Sequence, residues 1–390
     1  MGTTEAPMHV LFHRTTPWRG AIRGSTNTLA SLFAARGHAV TYLEGTAHVG
    51  HLLRGSRYAD SWRRGPRREA GAWVTTPFTP LPFAGRGAWA TPAAADRAYR
   101  SARIPRLVRA SGHGDVDALW VARPGGSALG RVFPDATLAM QVVDYYPAFG
   151  GPHVRALEER DYARADLVVS IGHAVTDYLT RELGVPEARV LTLGQGVFAE
   201  RYGPELAEPE ALAALPRPRA VWVGRTRKLD PKLTEAAVAW LERAGGSLAL
   251  VGEPTPWSRA LASRHGHVAL LGAIPPEQTP PLLVHADLGL MLYDQRRAEV
   301  YRGQHPLKLY EYAAAGPAVV STPHDEFRWL RPPVVDVRGA AGVADAMEQA
   351  WAERDARRDA GRAFAARHDW RDKQARAEAA LRAARRAPRR

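Results

Sequence analysis

Short apolar runs of four or five residues recur along this 390-residue chain, with helix-length stretches between them. The first run is 9–12. A loop rich in Thr, Arg and Gly follows over 13–24, Ser25 can cap a helix over 26–36, and 39–43 is the next run. Strand, helix and strand within about 35 residues is the repeating unit of a parallel sheet. Further runs fall at 73–77, 118–122, 139–143, 167–171 and 190–193. After a Pro-, Ala- and Glu-rich stretch the pattern restarts at Ala220 and continues at 248–252, 268–272, 288–292 and 318–321, with helices such as 234–244 and 281–285 in the gaps. This predicts an α/β chain of two Rossmann-like parallel-sheet halves, 1–203 and 219–366, joined by a linker 204–218 and followed by a helical tail 367–390. The first turn lacks Gly-x-Gly-x-x-Gly, which disfavours a dinucleotide dehydrogenase.

Composition narrows the chemistry. There is no cysteine, which removes disulfides, thiolate nucleophiles and thiolate-bound zinc. The fourteen histidines form no His-Glu-x-x-His pair, so no metal is expected. No run approaches the roughly 20 apolar residues that span a bilayer, and residues 1–8 lack the layout of a signal peptide. A cytoplasmic location is expected. The net charge of +13 favours acidic partners. Only four lysines are present, Lys228, Lys232, Lys308 and Lys373.

The most specific segment is His305-Pro-Leu-Lys-Leu-Tyr-Glu-Tyr-Ala-Ala-Ala-Gly-Pro-Ala-Val-Val-Ser-Thr322. It reads as a helix stopped at Gly316-Pro317 that feeds a strand, because Gly permits a left-handed cap and Pro blocks continuation. Lys308 and Glu311 are three apart and so share a helix face. The run resembles the nucleotide-sugar-binding segment of GT-B glycosyltransferases. A generic surface helix carrying one ion pair would not require so many matching residue types.

The rest of the chain is similar to that family in a less specific way. Ala165-Asp166 leads into a strand followed by Ser170, and Leu193-Gly-Gln-Gly-Val-Phe-Ala-Glu-Arg-Tyr202 stands where the family has an Asn-Gly-Val-Asp turn, with Gln195 for Asn and Phe198 for Asp. His368-Asp-Trp370 and the helix after it resemble the C-terminal helix that crosses back to the first domain. The resemblance implies two domains facing a cleft, with the acceptor on the first and the donor on the second.

It also implies roles. Glu311 corresponds to the glutamate on the nucleotide's ribose, a role suited to a carboxylate that can accept from two vicinal hydroxyls. Lys308 and Leu309 belong to the same donor-binding segment. Gly224, Arg225, Arg227 and Lys228 follow the first strand of the second half, where ligands bind in open α/β sheets, and could balance a departing diphosphate. The alternative is a solvated basic loop. Tyr293 closes a strand before the loop containing Arg296, Arg297 and Arg302, a basic rim suited to an acidic sugar or to phosphate. Trp257 could flank the base or simply pack.

Retaining relatives often carry a second glutamate eight positions before Glu311. Here that residue is Gly303. The departure brings the chain nearer the inverting glucuronosyltransferase subgroup of bacterial polysaccharide assembly. Inversion needs a base for the acceptor hydroxyl. Asp144, heading Asp-Tyr-Tyr-Pro-Ala-Phe-Gly-Gly151, is the candidate, and a turn-capping aspartate is the alternative. His13 and His173 are rival bases, each equally readable as structural. Arg23, Gly24, Tyr145 and Tyr146 are the acceptor-side candidates. Arginines 57, 63, 64, 67 and 68 mixed with Trp62, Trp73, Phe78, Phe83 and Trp89 suit an anionic membrane surface or a solvated basic loop over core aromatics.

The expected function is transfer of a sugar from a nucleotide donor, with UDP-sugar foremost, to a hydroxyl of a lipid-linked saccharide or secondary-metabolite scaffold. The sugar nucleotide is a substrate and no cofactor is expected. The alternatives are a GT-B-fold nucleotide-sugar epimerase and a non-catalytic polyanion binder, although no nucleic-acid-binding motif is present.

Overall fold

The computed structural model describes residues 6–18, 24–80, 91–151, 153–297, 301 and 303–386. Internal contacts divide the chain into two units, residues 1–194 with 371–390, and residues 195–370.

The strands of the first unit are β1 (His9–His13), β2 (Ala39–Leu43), β3 (Ala47–His48), β4 (Arg67–Glu69), β5 (Ala72–Thr75), β6 (Phe78–Thr79), β7 (Ala118–Val121), β8 (Thr137–Val142), β9 (Leu167–Ser170) and β10 (Val190–Thr192). Eight of them form a sheet in the order β10-β9-β8-β7-β1-β2-β5-β4, parallel except for β4 against β5. β3 and β6 pair separately. Every residue of β1, β7, β8 and β9 is buried, as parallel strands covered on both faces must be. A buried polar node fixes the first helix, Ser25–Ala35, against β8. Gln141 accepts from Thr26 Oγ1 (2.7 Å) and Trp120 Nε1 (2.9 Å), and donates to Ser25 Oγ (3.1 Å).

The second unit contains β11 (Arg219–Val223), β12 (Ser247–Val251), β13 (Val268–Gly272), β14 (Leu288–Met291), β15 (Ala318–Ser321) and β16 (Val334–Asp336). They lie parallel in the order β13-β12-β11-β14-β15-β16. Chain order therefore reverses between β11 and β14, and the strand ends on either side of that point leave a crevice.

The two parallel α/β units agree with the sequence reading, but their bounds differ from it. The division falls after Gly194 rather than 203. The stretch read as a linker, 204–218, packs into the second unit: its helix Glu210–Ala213 buries Leu212 completely in that core. Arg219 ties the stretch down by donating to the carbonyls of Leu215 (2.7 Å) and Ala213 (3.0 Å). The last helix, Trp370–Arg386, groups with the first unit from Arg371 onward. Arg382 there donates to Ala6 O (3.1 Å), and Arg385 to Asp117 (2.6 Å). The segment over 54–109, read as arginines among aromatics around a strand at 73–77, includes the helix Arg57–Arg63, and its Arg67 is tied to a residue outside it. Arg67 binds the buried Glu44 at 3.1 Å.

The helix predicted from the Lys308 segment runs Leu307–Ala315 and ends on Gly316 at φ 108°. Its Tyr312 ring lies over Gly289 of β14, where a Cβ would approach ring carbon Cδ2 to 2.6 Å. Only glycine leaves that space. Gly289→Val should destabilise the second unit by about 1–3 kcal/mol through overpacking. A urea unfolding curve checks this, and an unchanged midpoint would show that the ring is not held there.

Candidate functional site

Beyond the C-terminal ends of β11 and β14, backbone bonds join the two segments that follow. Asp230 N donates to Leu292 O (2.9 Å), and Asp294 N to Lys228 O (3.0 Å). The helix Leu307–Ala315 is pinned here by Tyr312, whose hydroxyl accepts from Val223 N (3.0 Å), the last residue of β11. That bond fixes where the Lys308–Glu311 face arrives.

Lys308 Nζ lies 3.0 Å from the centroid of the Trp222 ring and 5.1 Å from that of Tyr293. Lys228 Nζ is 5.9 Å from the same Tyr293 ring. Two ammonium groups thus flank one buried tyrosine, and the ring faces supply cation–π attraction. A Cβ on Gly224 would stand 3.2 Å from Lys308 Nζ, so glycine keeps that side open. Burial, and next the like charge of Lys228, hold the Lys308 ammonium well below its usual pKa, and Glu311 opposes both. Burial raises the Glu311 carboxyl to about 6, with Lys308 pulling it back. Burial and then the Glu311 charge push the Tyr202 phenol up. An anion set between the lysines would relieve their repulsion, and Glu311 can accept hydroxyl hydrogens beside it.

The structure therefore gathers Gly224, Lys228, Tyr293, Lys308 and Glu311 in one place. Arg225 and Arg227 are exposed on the same turn, Thr226–Lys228. The Leu309 side chain, one position from Lys308, turns fully into the core. Trp257 packs against that core from the capped helix Pro256–Arg264. The basic rim is also reduced. Arg296 spends its guanidinium on Asp294 (2.8 and 2.6 Å), and Arg302 lies outside the described residues. The sequence alone does not mark Trp222, which looks like any strand aromatic, Tyr202, which reads as part of a turn, or His324, buried against Tyr293.

In the first unit Asp144 is half-buried two residues beyond β8. Burial, and then the Asp144 charge, push the Tyr146 phenol upward, with Arg14 acting against them. Arg14 also crowds Gly24, where a Cβ would come within 2.2 Å of its Nη1. Asp144, Tyr146, Arg14 and Gly24 therefore cluster at the C-terminal side of this sheet. Arg14 stands in the loop after β1, where no sequence signal marks it. Tyr145 packs edge-on to Tyr178 at 4.9 Å. His13 does not suit a base. It is wholly buried, one ring nitrogen is bonded to Leu43 O (2.9 Å) and the other to the Tyr99 hydroxyl (2.8 Å), and burial lowers it to about 3. His173 is exposed at the start of the helix His173–Asp177. Arg23, Phe83 and Trp89 lie outside the described residues.

One group among the described residues could hold a metal ion. Glu242, His265 and His267 bring ligand atoms within 4.8 Å of one another. They sit at the N-terminal edge of the second sheet, before β12 and β13, so they lie at the opposite edge from the lysine pair. Among the described residues no helix is long and apolar enough to cross a membrane.

Residues 200–387 match the family model described as glycosyl transferase-like. A comparison with curated proteins finds no match. Solved structures similar to the chain include a sucrose-phosphate synthase from Thermosynechococcus elongatus, at 15% identity and TM-score 0.70, covering 96% of this chain and 98% of that one. An α,α-trehalose-phosphate synthase (UDP-forming) from Burkholderia vietnamiensis is similar at 15% identity and TM-score 0.66, covering 97% and 98%. HepE from Anabaena, in complex with UDP and glucose, is similar at 13% identity and TM-score 0.65, covering 96% and 100%. The chain has the GT-B glycosyltransferase fold, and the match to the glycosyl transferase-like family lies in its residues 200–387.

Proposed function

We propose that this protein is a glycosyltransferase that takes a sugar from a UDP-sugar and passes it, with inversion, to an acceptor hydroxyl. The observation that carries the reading is the Lys308–Glu311 face at the β11–β14 switch point, with Lys228 beside it. Lys308 and Lys228 would neutralise the diphosphate as it leaves, and Glu311 would hold the ribose hydroxyls. The preference for UDP draws on HepE, which was solved with UDP and glucose, and on the UDP-forming trehalose-phosphate synthase.

Asp144 is the proposed base. The carboxylate is half-buried at a strand end and sits with Tyr146 and Arg14. It would take the acceptor's proton as the hydroxyl attacks the anomeric carbon. His13 is already committed to Leu43 and Tyr99, which favours Asp144 over it. The acceptor is proposed to be a lipid-linked saccharide at an anionic membrane surface. Supporting this, Leu53 is 82% and Trp62 39% exposed, among exposed Arg54, Arg57, Arg63 and Arg64. Rings and cations interleaved in this way suit headgroups.

Two variants test the assignments. Glu311→Ala should weaken UDP binding by about ten-fold or more, because it removes charged hydrogen bonds to hydroxyls. Calorimetric titration reads this, and wild-type affinity would remove the ribose role. Asp144→Asn should bind UDP normally yet lose about 10²–10⁴-fold in transfer rate. Near-normal turnover of the Asn variant would show the base to be elsewhere.

A further inference from the structure

β15 ends at Ser321, and the chain then turns through Thr322, Pro323 and His324 before the short helix Phe327–Leu330. Thr322 Oγ1 accepts from Tyr293 N at 3.2 Å, which brings this turn against the loop beyond β14. The His324 side chain follows it inward. It is 6% exposed, edge-on to Tyr293 at 5.1 Å and tilted against Phe327 at 4.9 Å.

Neither ring nitrogen of His324 has a hydrogen-bond partner among the described residues. Other buried histidines in this protein behave differently. His13 uses both nitrogens, His9 bonds Thr41 Oγ1 and backbone carbonyls, and His305 bonds the Tyr310 hydroxyl. A buried polar ring left unbonded lowers stability and calls for a cause. The groups that act on it electrostatically are Lys308, His305 and Lys228. Burial is the larger influence, and together they take the imidazole to about 3, so it is neutral in the cell's pH range with one N–H to give. It therefore stands beside the same Tyr293 ring as the two lysines, with a donor and nothing to receive it.

We propose that His324 is a third, uncharged ligand of the donor's diphosphate, giving an imidazole N–H to a phosphoryl oxygen held by Lys308 and Lys228. The assignment rests on the glycosyltransferase reading of this site. A neutral donor suits the position. A third cation beside two lysines would add repulsion in the empty site, whereas an imidazole N–H adds a directed bond only when the anion arrives.

The test uses His324→Phe in the full chain, which keeps a flat ring and removes both nitrogens. UDP and inorganic pyrophosphate are titrated calorimetrically into wild type, His324→Phe and Lys308→Met, and the ligand-free melting temperatures are compared. The expected result is a ligand-free His324→Phe protein that melts at or above wild type and binds both probes about ten-fold or more weakly. Wild-type affinity in that variant would overturn the proposal, as would a fall in melting temperature with affinity intact, which marks a purely structural ring. His324→Ala serves the same affinity comparison if the Phe variant does not fold. Binding that depends on Lys308 but not His324 overturns this inference alone. If wild type binds neither pyrophosphate nor any of UDP, GDP, ADP and dTDP, the donor-site reading falls and this inference falls with it.

Discussion

The hydroxyl of Tyr312 takes the amide hydrogen of Val223 at the very end of β11, and the arrangement of the site follows from that bond. A strand end is where a parallel sheet runs out of ladder partners, so its last amide needs an acceptor from elsewhere. Supplying it from the Leu307–Ala315 helix fixes both the rotation and the height of that helix. Gly289 leaves room for the ring over β14 while its oxygen reaches β11. With the helix set, Lys308 falls on Trp222 and Tyr293, and Glu311 faces the side near Tyr202. The switch in strand order supplies the crevice, and the tyrosine determines what looks into it.

Like charges crowd that crevice. Two lysines share one aromatic platform, and their mutual repulsion adds to burial in depressing Lys308. Ring faces soften this without cancelling it. A carboxylate at Glu311 is itself held up by burial, to about 6. His324 stands in the same neighbourhood with neither nitrogen bonded. Burial disfavours the charged forms of Lys308 and Glu311, and an anion beside the lysines with hydroxyls turned toward Glu311 would offset part of that cost. Functional sites commonly concentrate such perturbed groups.

Much of this was legible in the residues because it depends on short-range geometry. The Lys308–Glu311 pairing follows from helical spacing, the helix stop from Gly316-Pro317, and the two sheets from the recurrence of short apolar runs. What escaped depends on distant partners. Leu309 differs from Lys308 by one position, about 100° around the helix, and whether that direction meets core or ligand is set by packing. From its position alone His13 reads equally as a base or a structural residue, and it is Tyr99, far along the chain, that occupies it. The stretch 204–218 has a linker's composition, but Leu212 finds a pocket in the second core that composition does not announce. Trp222 and His324 gain meaning only from the lysines that face them.

A nucleoside diphosphate held in the lysine-flanked crevice of the second unit must stabilise the folded protein. The most direct test is the melting temperature of the whole protein with UDP, GDP, ADP or dTDP, each with and without a chelator. A ligand that binds only the folded state must raise it. A clear upward shift with UDP that the chelator leaves unchanged is expected. No shift with any of the four at millimolar concentration would contradict such binding.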